Sequence, residues 1–118
     1  MFSLAQHSID ELTQQSIQRF VGAARALYPI QQVVLFGSRA KSLNTADSDA
    51  DVMLLLTGQH GNFIGTKLAL ADLAFDVMLE TGIRIDPLPV WEDQWLNPSS
   101  FSNPQLLANI YREGVIVQ

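Results

Sequence analysis

Two short apolar runs, each joined to a polar motif, constrain the fold of this chain most. Residues 30–36 are predicted to form a strand, and residues 33–36 within it form a continuous apolar run of the kind found in strands buried on both faces of a sheet. This run ends in Gly37-Ser38, and a second one, residues 52–56, follows Asp49-Ala50-Asp51. Residues 37–48 are rich in Gly, Ser, Asn, Thr and Asp, which predicts a loop with one helical turn at most. Both polar motifs are therefore expected at the ends of buried strands.

Helical patterns lie before and after these strands. A capping box, Ser8 with Glu11 three residues later, predicts the start of a first helix, and Pro29 ends its apolar pattern after Tyr28. The last helix is predicted over residues 104–112. Gly114 is expected to cap it, before a short closing strand over residues 115–117.

A second helix is predicted from the capping residue Asn62 to about Thr81, with Gly82 at its end. Its apolar residues occupy two rows, so much of its circumference is apolar. We expect the first row to face the core and the second to add to it; a partner-binding face is the alternative. The first row comprises Ile64, Leu68, Ala71, Phe75, Met78 and Leu79, and the second Leu70, Leu73 and Val77.

A third strand is predicted over residues 83–90. Pro87 and Pro89 restrict it to the edge of a sheet or make it end early, because proline has no N–H to donate to a neighbouring strand. Residues 91–103 are expected to be irregular. These elements predict a chain that contains both helices and strands, of the α/β (α+β) class.

Composition limits the classes of function. The 118 residues, of which 47% are apolar, suffice for one domain spanning residues 1–118. No apolar stretch is long enough to cross a bilayer, and the start lacks the features of a signal peptide, so we expect a cytoplasmic protein without membrane contact. Absence of cysteine excludes disulfides and cysteine–zinc sites. The net charge of −5 repels phosphate backbones, so broad nucleic-acid binding is not expected.

The Gly37-Ser38 turn is a candidate phosphate site. Glycine allows a sharp exit from a strand and close approach of another group, and the N–H groups of a following helical turn suit an anion. The Ser38 hydroxyl can add a donor, and Arg39 or Lys41 can add positive charge. A structural turn without a ligand is the alternative.

Asp49 and Asp51 are candidate metal ligands. Residues two apart in a strand face the same side, with Cα atoms about 6.5–7 Å apart. Two carboxylates at that spacing repel each other and raise at least one pKa, unless a cation such as Mg²⁺ lies between them. The alternative is a solvated turn that precedes a strand.

Asp86 is a third candidate, because aspartate is depleted in strands. If its strand lies beside the one that carries Asp51, three carboxylates converge, enough to hold two metal ions about 3.5–4 Å apart. A surface pair of Arg84 with Asp86 is the alternative. A phosphate site and a metal-binding pair this close together suggest phosphoryl or nucleotidyl transfer.

The combined motif resembles that of the minimal nucleotidyltransferase family, small members of the DNA polymerase β-like superfamily. Their signature is Gly-Ser, ten residues, then Asp-x-Asp, matched here by Gly37-Ser38 and Asp49-Ala50-Asp51. Asp86 in a later strand and the closing segment from Asn103 to Val115 extend the resemblance over most of the chain.

The resemblance implies a small mixed sheet flanked by helices, with Asp49, Asp51 and Asp86 as ligands of two Mg²⁺ ions. Asp86 would also help to deprotonate the acceptor hydroxyl, and Gly37 and Ser38 would hold the β- and γ-phosphates of ATP. Family members of this size are typically antitoxins of HEPN/MNT toxin–antitoxin pairs. Some are thought to transfer AMP to a tyrosine of the HEPN ribonuclease toxin, with release of pyrophosphate.

One position departs from the family pattern. Members commonly carry Arg-Ala-Arg-Gly after Gly-Ser, whereas this chain has Arg39-Ala40-Lys41-Ser42. Lys41 keeps the charge without the bidentate fork of arginine, and Ser42 replaces a residue free to adopt positive φ. We expect this difference from the family pattern to affect the affinity for phosphate.

Two functions from different classes compete. The first is a Mg²⁺-dependent protein adenylyltransferase that acts on the toxin. The second is a binding module that neutralises the toxin by stoichiometric occlusion, with a vestigial metal site. Either implies a HEPN-domain partner and a hetero-oligomer, and the first also implies a nucleoside triphosphate. Transfer to a small molecule is a weaker third option, because such relatives usually carry an added helical domain.

Overall fold

A five-stranded mixed sheet forms the centre of the protein, in a computed structural model that describes residues 1–3 and 9–118. The strands are β1 (Phe2–Ser3), β2 (Ile30–Phe36), β3 (Ala50–Leu56), β4 (Ile85–Trp91) and β5 (Val115–Ile116). Their order across the sheet is β1-β5-β2-β3-β4. Strand β2 is antiparallel to both of its neighbours, whereas β4 pairs with β3 in parallel and β1 with β5 in parallel.

Helices cover both faces of this sheet. They are α1 (Glu11–Arg25), α2 (Phe63–Thr81), α3 (Glu92–Leu96) and α4 (Pro104–Glu113), with a 3-10 turn at Pro98–Ser100. One core cluster joins α1 and α2 to one face, and a second joins α4 and Phe101 to the other. The mixed sheet flanked by helices confirms the expected fold class. Within the described residues, no helix is both long and apolar enough to cross a membrane.

Strand β3 is buried on both of its faces, as its continuous apolar run predicts. Val52, Met53, Leu54 and Leu56 are fully buried, and Leu55 is nearly so. Alternate side chains enter the two core clusters, so each face of the strand is covered by a helical layer. This burial fixes the position of the strand from which Asp51 projects.

The first helix begins at Glu11 rather than at the predicted capping box. Asp10 is its N-cap, and the Asp10 side chain accepts a hydrogen bond of 3.0 Å from the Thr13 N–H. The predicted cap Ser8, and His7, which is expected at the surface, lie outside the described residues. The helix ends at Arg25, earlier than predicted, and Leu27 is exposed beyond it.

Strand β4 is an edge strand, as Pro87 and Pro89 predict. The segment after it is not wholly irregular, which corrects the prediction for residues 91–103. Helix α3 starts there because the Gln94 side chain reaches back and accepts a hydrogen bond of 3.1 Å from the Trp91 N–H.

Helix α2 has the predicted ends, but the opposite row of apolar residues faces the core. The Asn62 side chain caps its start by accepting from the Gly65 N–H, and Gly82 ends it with φ +78°. Leu70, Ala74 and Val77 are buried, and Leu73 packs partly against the same core. Of the six residues predicted to form the main core row, four have side chains that are 54–69% exposed; they are Ile64, Leu68, Phe75 and Leu79. Ala71 is also exposed, and Met78 is half-buried.

The error has a physical cause. The prediction took the longer apolar row as the buried one, although Asp72, Asp76 and Glu80 form an exposed acidic row that borders it. The buried row lies on the side away from these acidic residues, where α2 packs against α1 and β4. The expectation of a deeply packed helix is therefore wrong, and one apolar row, here called the α2 stripe (Ile64, Leu68, Phe75 and Leu79), faces solvent.

Two leucines on α2 provide a matched test of this packing. Leu70→Ala removes a fully buried side chain and should lower the free energy of unfolding by about 2–5 kcal/mol. Leu68→Ala should change it by no more than about 0.5 kcal/mol, because Leu68 is 62% exposed. Chemical denaturation of both variants measures the difference, and equal losses would contradict the observed face.

Candidate active site

The site forms where the end of β2 meets the starts of β3 and β4. Asp51 is paired with Phe36 of β2 on one side and with Asp86 of β4 on the other. Residues paired in register project their side chains to the same face of a sheet. The fold therefore brings two of the three predicted carboxylates side by side.

The third carboxylate, Asp49, lies two residues before Asp51 and next to Arg84. Its Oδ1 is 3.8 Å from a guanidinium nitrogen of Arg84. Arg84 thus pairs with Asp49 and not with Asp86, contrary to the alternative of an Arg84–Asp86 pair. The main chain supports this arrangement, since the Ala50 N–H donates to the Arg84 carbonyl at 2.8 Å.

Lys67 of α2 is the counter-ion of Asp86. Its ammonium group lies 3.0 Å from Oδ1 of Asp86 and donates to the carbonyl of Pro87 at 2.6 Å. Sequence reasoning missed this residue, although a single lysine in a helix whose other charged residues are all acidic is a usable signal. Its partner could not be identified, because α2 and β4 are brought together only by the fold.

Burial and the neighbouring charges both change the pKa of Asp51. Burial raises the pKa of the Asp51 carboxyl above its ordinary value, and the negative charges of Asp86 and Asp49 raise that pKa further. Lys67 acts in the opposite direction. This is the repulsion that the spacing of the carboxylates predicts, and a divalent cation would relieve it.

The donor set suits a hard cation in chemistry but does not form a closed metal site. In residues 1–3 and 9–118, no three histidine, aspartate or glutamate side chains are arranged to hold a metal ion. Lys67 and Arg84 instead neutralise Asp86 and Asp49. Ion binding at these oxygens would have to compete with both side chains.

Gly37 lies directly against Asp51. Its φ is +77°, and a Cβ at this position would collide with Oδ2 of Asp51. Glycine is thus needed here for both the backbone conformation and the close approach. The turn that follows is closed by hydrogen bonds from the N–H groups of Lys41 and Leu43 to the carbonyl of Ser38. Ser38 is half-buried beside it.

Ser42 adopts the conformation that glycine adopts freely. Its φ is +57°, in the left-handed region, where a residue with a Cβ is less stable by about 1–2 kcal/mol. The departure from the family pattern therefore leaves the turn geometry in place. Serine tolerates a backbone conformation that favours glycine.

Arg39 is turned away from the carboxylates and into the protein. Only 3% of its side chain is exposed. Its guanidinium group donates to the carbonyls of Ser48 and Ala46, at 2.9 and 3.4 Å, and to the Thr13 hydroxyl at 3.1 Å. Arg39 thus ties both ends of the loop to α1. The structure does not bring it to the predicted phosphate site.

Asp10 completes the surroundings of Arg39, with Oδ1 3.8 Å from the guanidinium group. Burial works against ionisation of Asp10, but hydrogen bonds from Thr13 and the charge of Arg39 outweigh it and lower the pKa of Asp10.

Lys41 lies at the rim of the site. Its ammonium group is 2.8 Å from Oε2 of Glu113 on α4, and the two side chains are equally exposed. The hydrogen bond and charge of Lys41 lower the pKa of Glu113. A small cleft of about 210 Å³ between the turn and α4 is lined by Gly37, Lys41 and Asn109.

A larger groove of about 490 Å³ opens on the other side of the carboxylates. It lies between α2 and β4, and its walls include Asp49, Asp86 and Lys67 together with Phe75 and Met78. The groove therefore joins the acidic site to the outer face of α2. Two other cavities of similar size, beside Arg39 and between α3 and α4, do not include any of the three carboxylates.

The sequence places the chain in a family. Residues 17–115 match the nucleotidyltransferase domain, so the chain belongs to that family. The matched range contains the Gly37-Ser38 turn and all three carboxylates. The protein is thus of the nucleotidyltransferase class. No curated protein sequence matches it significantly.

Solved structures are similar in fold. One is the crystal structure of a toxin–antitoxin with AMP-PNP, with a TM-score of 0.61 and 17% identity over 89% of this chain and 72% of that chain. Another, with a TM-score of 0.46 and 18% identity, is a protein from Sulfolobus solfataricus thought to be a nucleotidyltransferase; the match covers 71% of this chain and 68% of that one. At these identities the first similarity establishes the fold alone.

Replacement of Asp51 tests the crowding of charge. A carboxyl whose pKa is raised on folding binds more protons in the native state, so its contribution to stability falls as pH rises above the ordinary value of 3.8. Without divalent ions, Asp51→Asn should therefore raise the melting temperature at about pH 7.5, and the gain should shrink toward about pH 4. Calorimetry measures the melting temperature of the variant and of the wild type at both pH values, with the exposed Asp47→Asn as control. A gain that grows toward acid pH would contradict the assignment.

Replacement of Arg39 tests its role in holding the loop. Arg39→Met removes the donors to Ser48, Ala46 and Thr13 and should lower the free energy of unfolding by about 1–3 kcal/mol. Lys41→Met is the control and should cost no more than about 0.5 kcal/mol, because its ion pair is exposed. Denaturant titration compares them. An Arg39→Met protein as stable as the control would mean that the buried hydrogen bonds do not hold the loop.

Proposed function

We propose that this protein is a Mg²⁺-dependent nucleotidyltransferase that transfers AMP from ATP to a tyrosine hydroxyl of a HEPN ribonuclease toxin, and so acts as its antitoxin. One observation carries the proposal: Asp51 and Asp86 are paired in register, with Gly37 against Asp51. The family supports nucleotidyl transfer. The sequence resemblance and the similar toxin–antitoxin fold support the choice of partner.

The carboxylates are proposed to hold the metal. Asp49, Asp51 and Asp86 supply the oxygen donors that Mg²⁺ prefers. Burial and, after it, the negative charges of Asp86 and Asp49 raise the pKa of Asp51, and bound ions would offset both effects. When bound, Mg²⁺ polarises the phosphoryl oxygens and neutralises the developing charge. Lys67 and Arg84 would release Asp86 and Asp49 as the ions bind.

The turn after β2 is proposed to hold the triphosphate. The first N–H groups of a helical turn have no acceptor within it, which suits them to phosphate oxygens. Gly37 allows these groups to lie beside Asp51, and Ser38 adds a hydroxyl. Lys41 can reach the triphosphate from the rim if it leaves Glu113. Arg39 is proposed to position the loop instead of binding nucleotide.

The reaction is an in-line substitution at the α-phosphorus. The acceptor oxygen forms a bond to the α-phosphorus, and the bond from that phosphorus to the bridging oxygen of pyrophosphate breaks. The hydroxyl proton passes to the carboxylate of Asp86, which is exposed at the groove where an acceptor can approach. The electron pair of the broken bond leaves with pyrophosphate.

The second candidate, occlusion without catalysis, has a specific observation in its favour. Among the described residues the carboxylates do not form a closed metal site, and two of them are neutralised by side chains of this chain. A vestigial site would have these features. Retention of all three carboxylates at one edge favours the enzyme.

Labelled ATP distinguishes the two candidates. The protein is incubated with ATP labelled at the α-phosphate, Mg²⁺ and the product of the adjacent reading frame. Asp49→Ala, Asp51→Ala and Asp86→Ala should each reduce labelling of the partner at least about 100-fold, because each removes a ligand of the ions that stabilise the transition state. Asp47→Ala, a neighbouring exposed aspartate, is the control and should label normally.

Neutralisation of the toxin is measured in parallel. If wild-type protein transfers no label and the three variants still neutralise the partner fully, occlusion replaces transfer. Chelation of divalent ions should stop labelling without unfolding the protein.

A further inference from the structure

The α2 stripe is the largest apolar feature that packing leaves exposed on one element. Its four side chains are 54–69% exposed and recur along one side of the helix. From Ile64 to Leu79 the stripe is about 22 Å long, at 1.5 Å per residue. An exposed apolar surface of this extent on a small protein marks an interaction site.

The stripe is continuous with the candidate active site. Phe75 belongs to the stripe and also lines the groove that contains Asp49 and Asp86. Met78 and Ala71 extend the apolar wall between them. A molecule that rests on the stripe is therefore brought against the carboxylates.

The charged residues beside the α2 stripe determine what kind of partner surface fits there. Asp72 and Asp76 are exposed beside the stripe, and Glu80 continues the row but is paired with Arg19 of α1. Lys67, the only basic residue of α2, is paired with Asp86 on the groove side. The free flank is thus acidic, and an occupant with basic residues on that side complements it.

A second copy of this chain fits poorly. Antiparallel packing of stripe against stripe would bring the Asp72 and Asp76 rows of the two copies close together, and in any arrangement each copy carries a net charge of −5. Like charges across an interface oppose association. Charge thus favours a different protein as the occupant.

We propose that the acceptor protein docks through an amphipathic helix on the α2 stripe. Its apolar face packs along Leu68 and Phe75, and its basic flank lies over Asp72 and Asp76. The ridges formed by residues four apart on α2 accept a helix in this way. The acceptor hydroxyl then reaches Asp86 through the shared groove. That last step rests on the proposed transfer function, whereas the docking itself does not.

Model peptides test the docking directly. The probe is a fluorescent amphipathic peptide of about 18 residues, long enough to span the stripe, with leucines on one face and lysines on the flanks. A second peptide has glutamate at each lysine, and a third has the first composition in scrambled order. Anisotropy measures binding to the full chain without nucleotide or metal.

The wild-type protein should bind the lysine peptide at least about tenfold more tightly than either other peptide. The double variant Leu68→Ser with Phe75→Ser should weaken this binding about tenfold, a difference of about 1.4 kcal/mol. The double variant Leu27→Ser with Leu96→Ser is the control, since both leucines are exposed and neither belongs to α2, and it should bind as the wild type does. None of these substitutions changes the charge.

Three results of the binding and sedimentation measurements would overturn the docking surface, and one labelling result would do the same. The three are unchanged binding by the stripe variant, equal binding of the scrambled peptide, and sedimentation of the wild type as a dimer that the stripe variant lacks. The test is separate from the transfer function, because all variants retain the three carboxylates. Labelling of the partner at the wild-type rate by the stripe variant would leave transfer intact and reject docking.

Discussion

The parallel pairing of β3 with β4 is the constraint on which the site depends. It places Asp51 opposite Asp86, and a shift by one residue would send one of the two carboxylates to the other face of the sheet. The burial of β3 on both faces makes such a shift costly. Hydrophobic packing thus holds the like charges of Asp51 and Asp86 side by side. Lys67 pairs with Asp86, and Arg84 pairs with the neighbouring Asp49, which offsets part of the repulsion.

The loop between β2 and β3 is held in place by one of its own side chains, and this keeps Gly37 close to Asp51. Arg39 uses its guanidinium group on the carbonyls near the end of the loop and on α1. An arginine after Gly-Ser looks like a phosphate ligand in sequence. Its burial shows that it frames the site, which leaves Lys41 as the cation at the rim.

Sequence reasoning predicted what local patterns determine. The bounds of β2 and of α2 follow from apolar runs, Asn62 and Gly82, and the edge position of β4 follows from its prolines. The pairing of Lys67 with Asp86 was beyond it, because that pair depends on which elements become neighbours. The buried face of α2 does leave a trace, the exposed acidic row Asp72, Asp76 and Glu80, but two apolar rows surround most of the helix and the longer one was wrongly predicted to form the core.

The two prolines of β4 have a consequence for assembly. A sheet edge with free N–H groups can recruit a strand from another chain and grow. Pro87 and Pro89 remove two of those donors, and the Pro87 carbonyl is already bonded by Lys67. The β4 edge of this sheet is thus a poor template for β-strand addition, which protects the protein against fibre-like association.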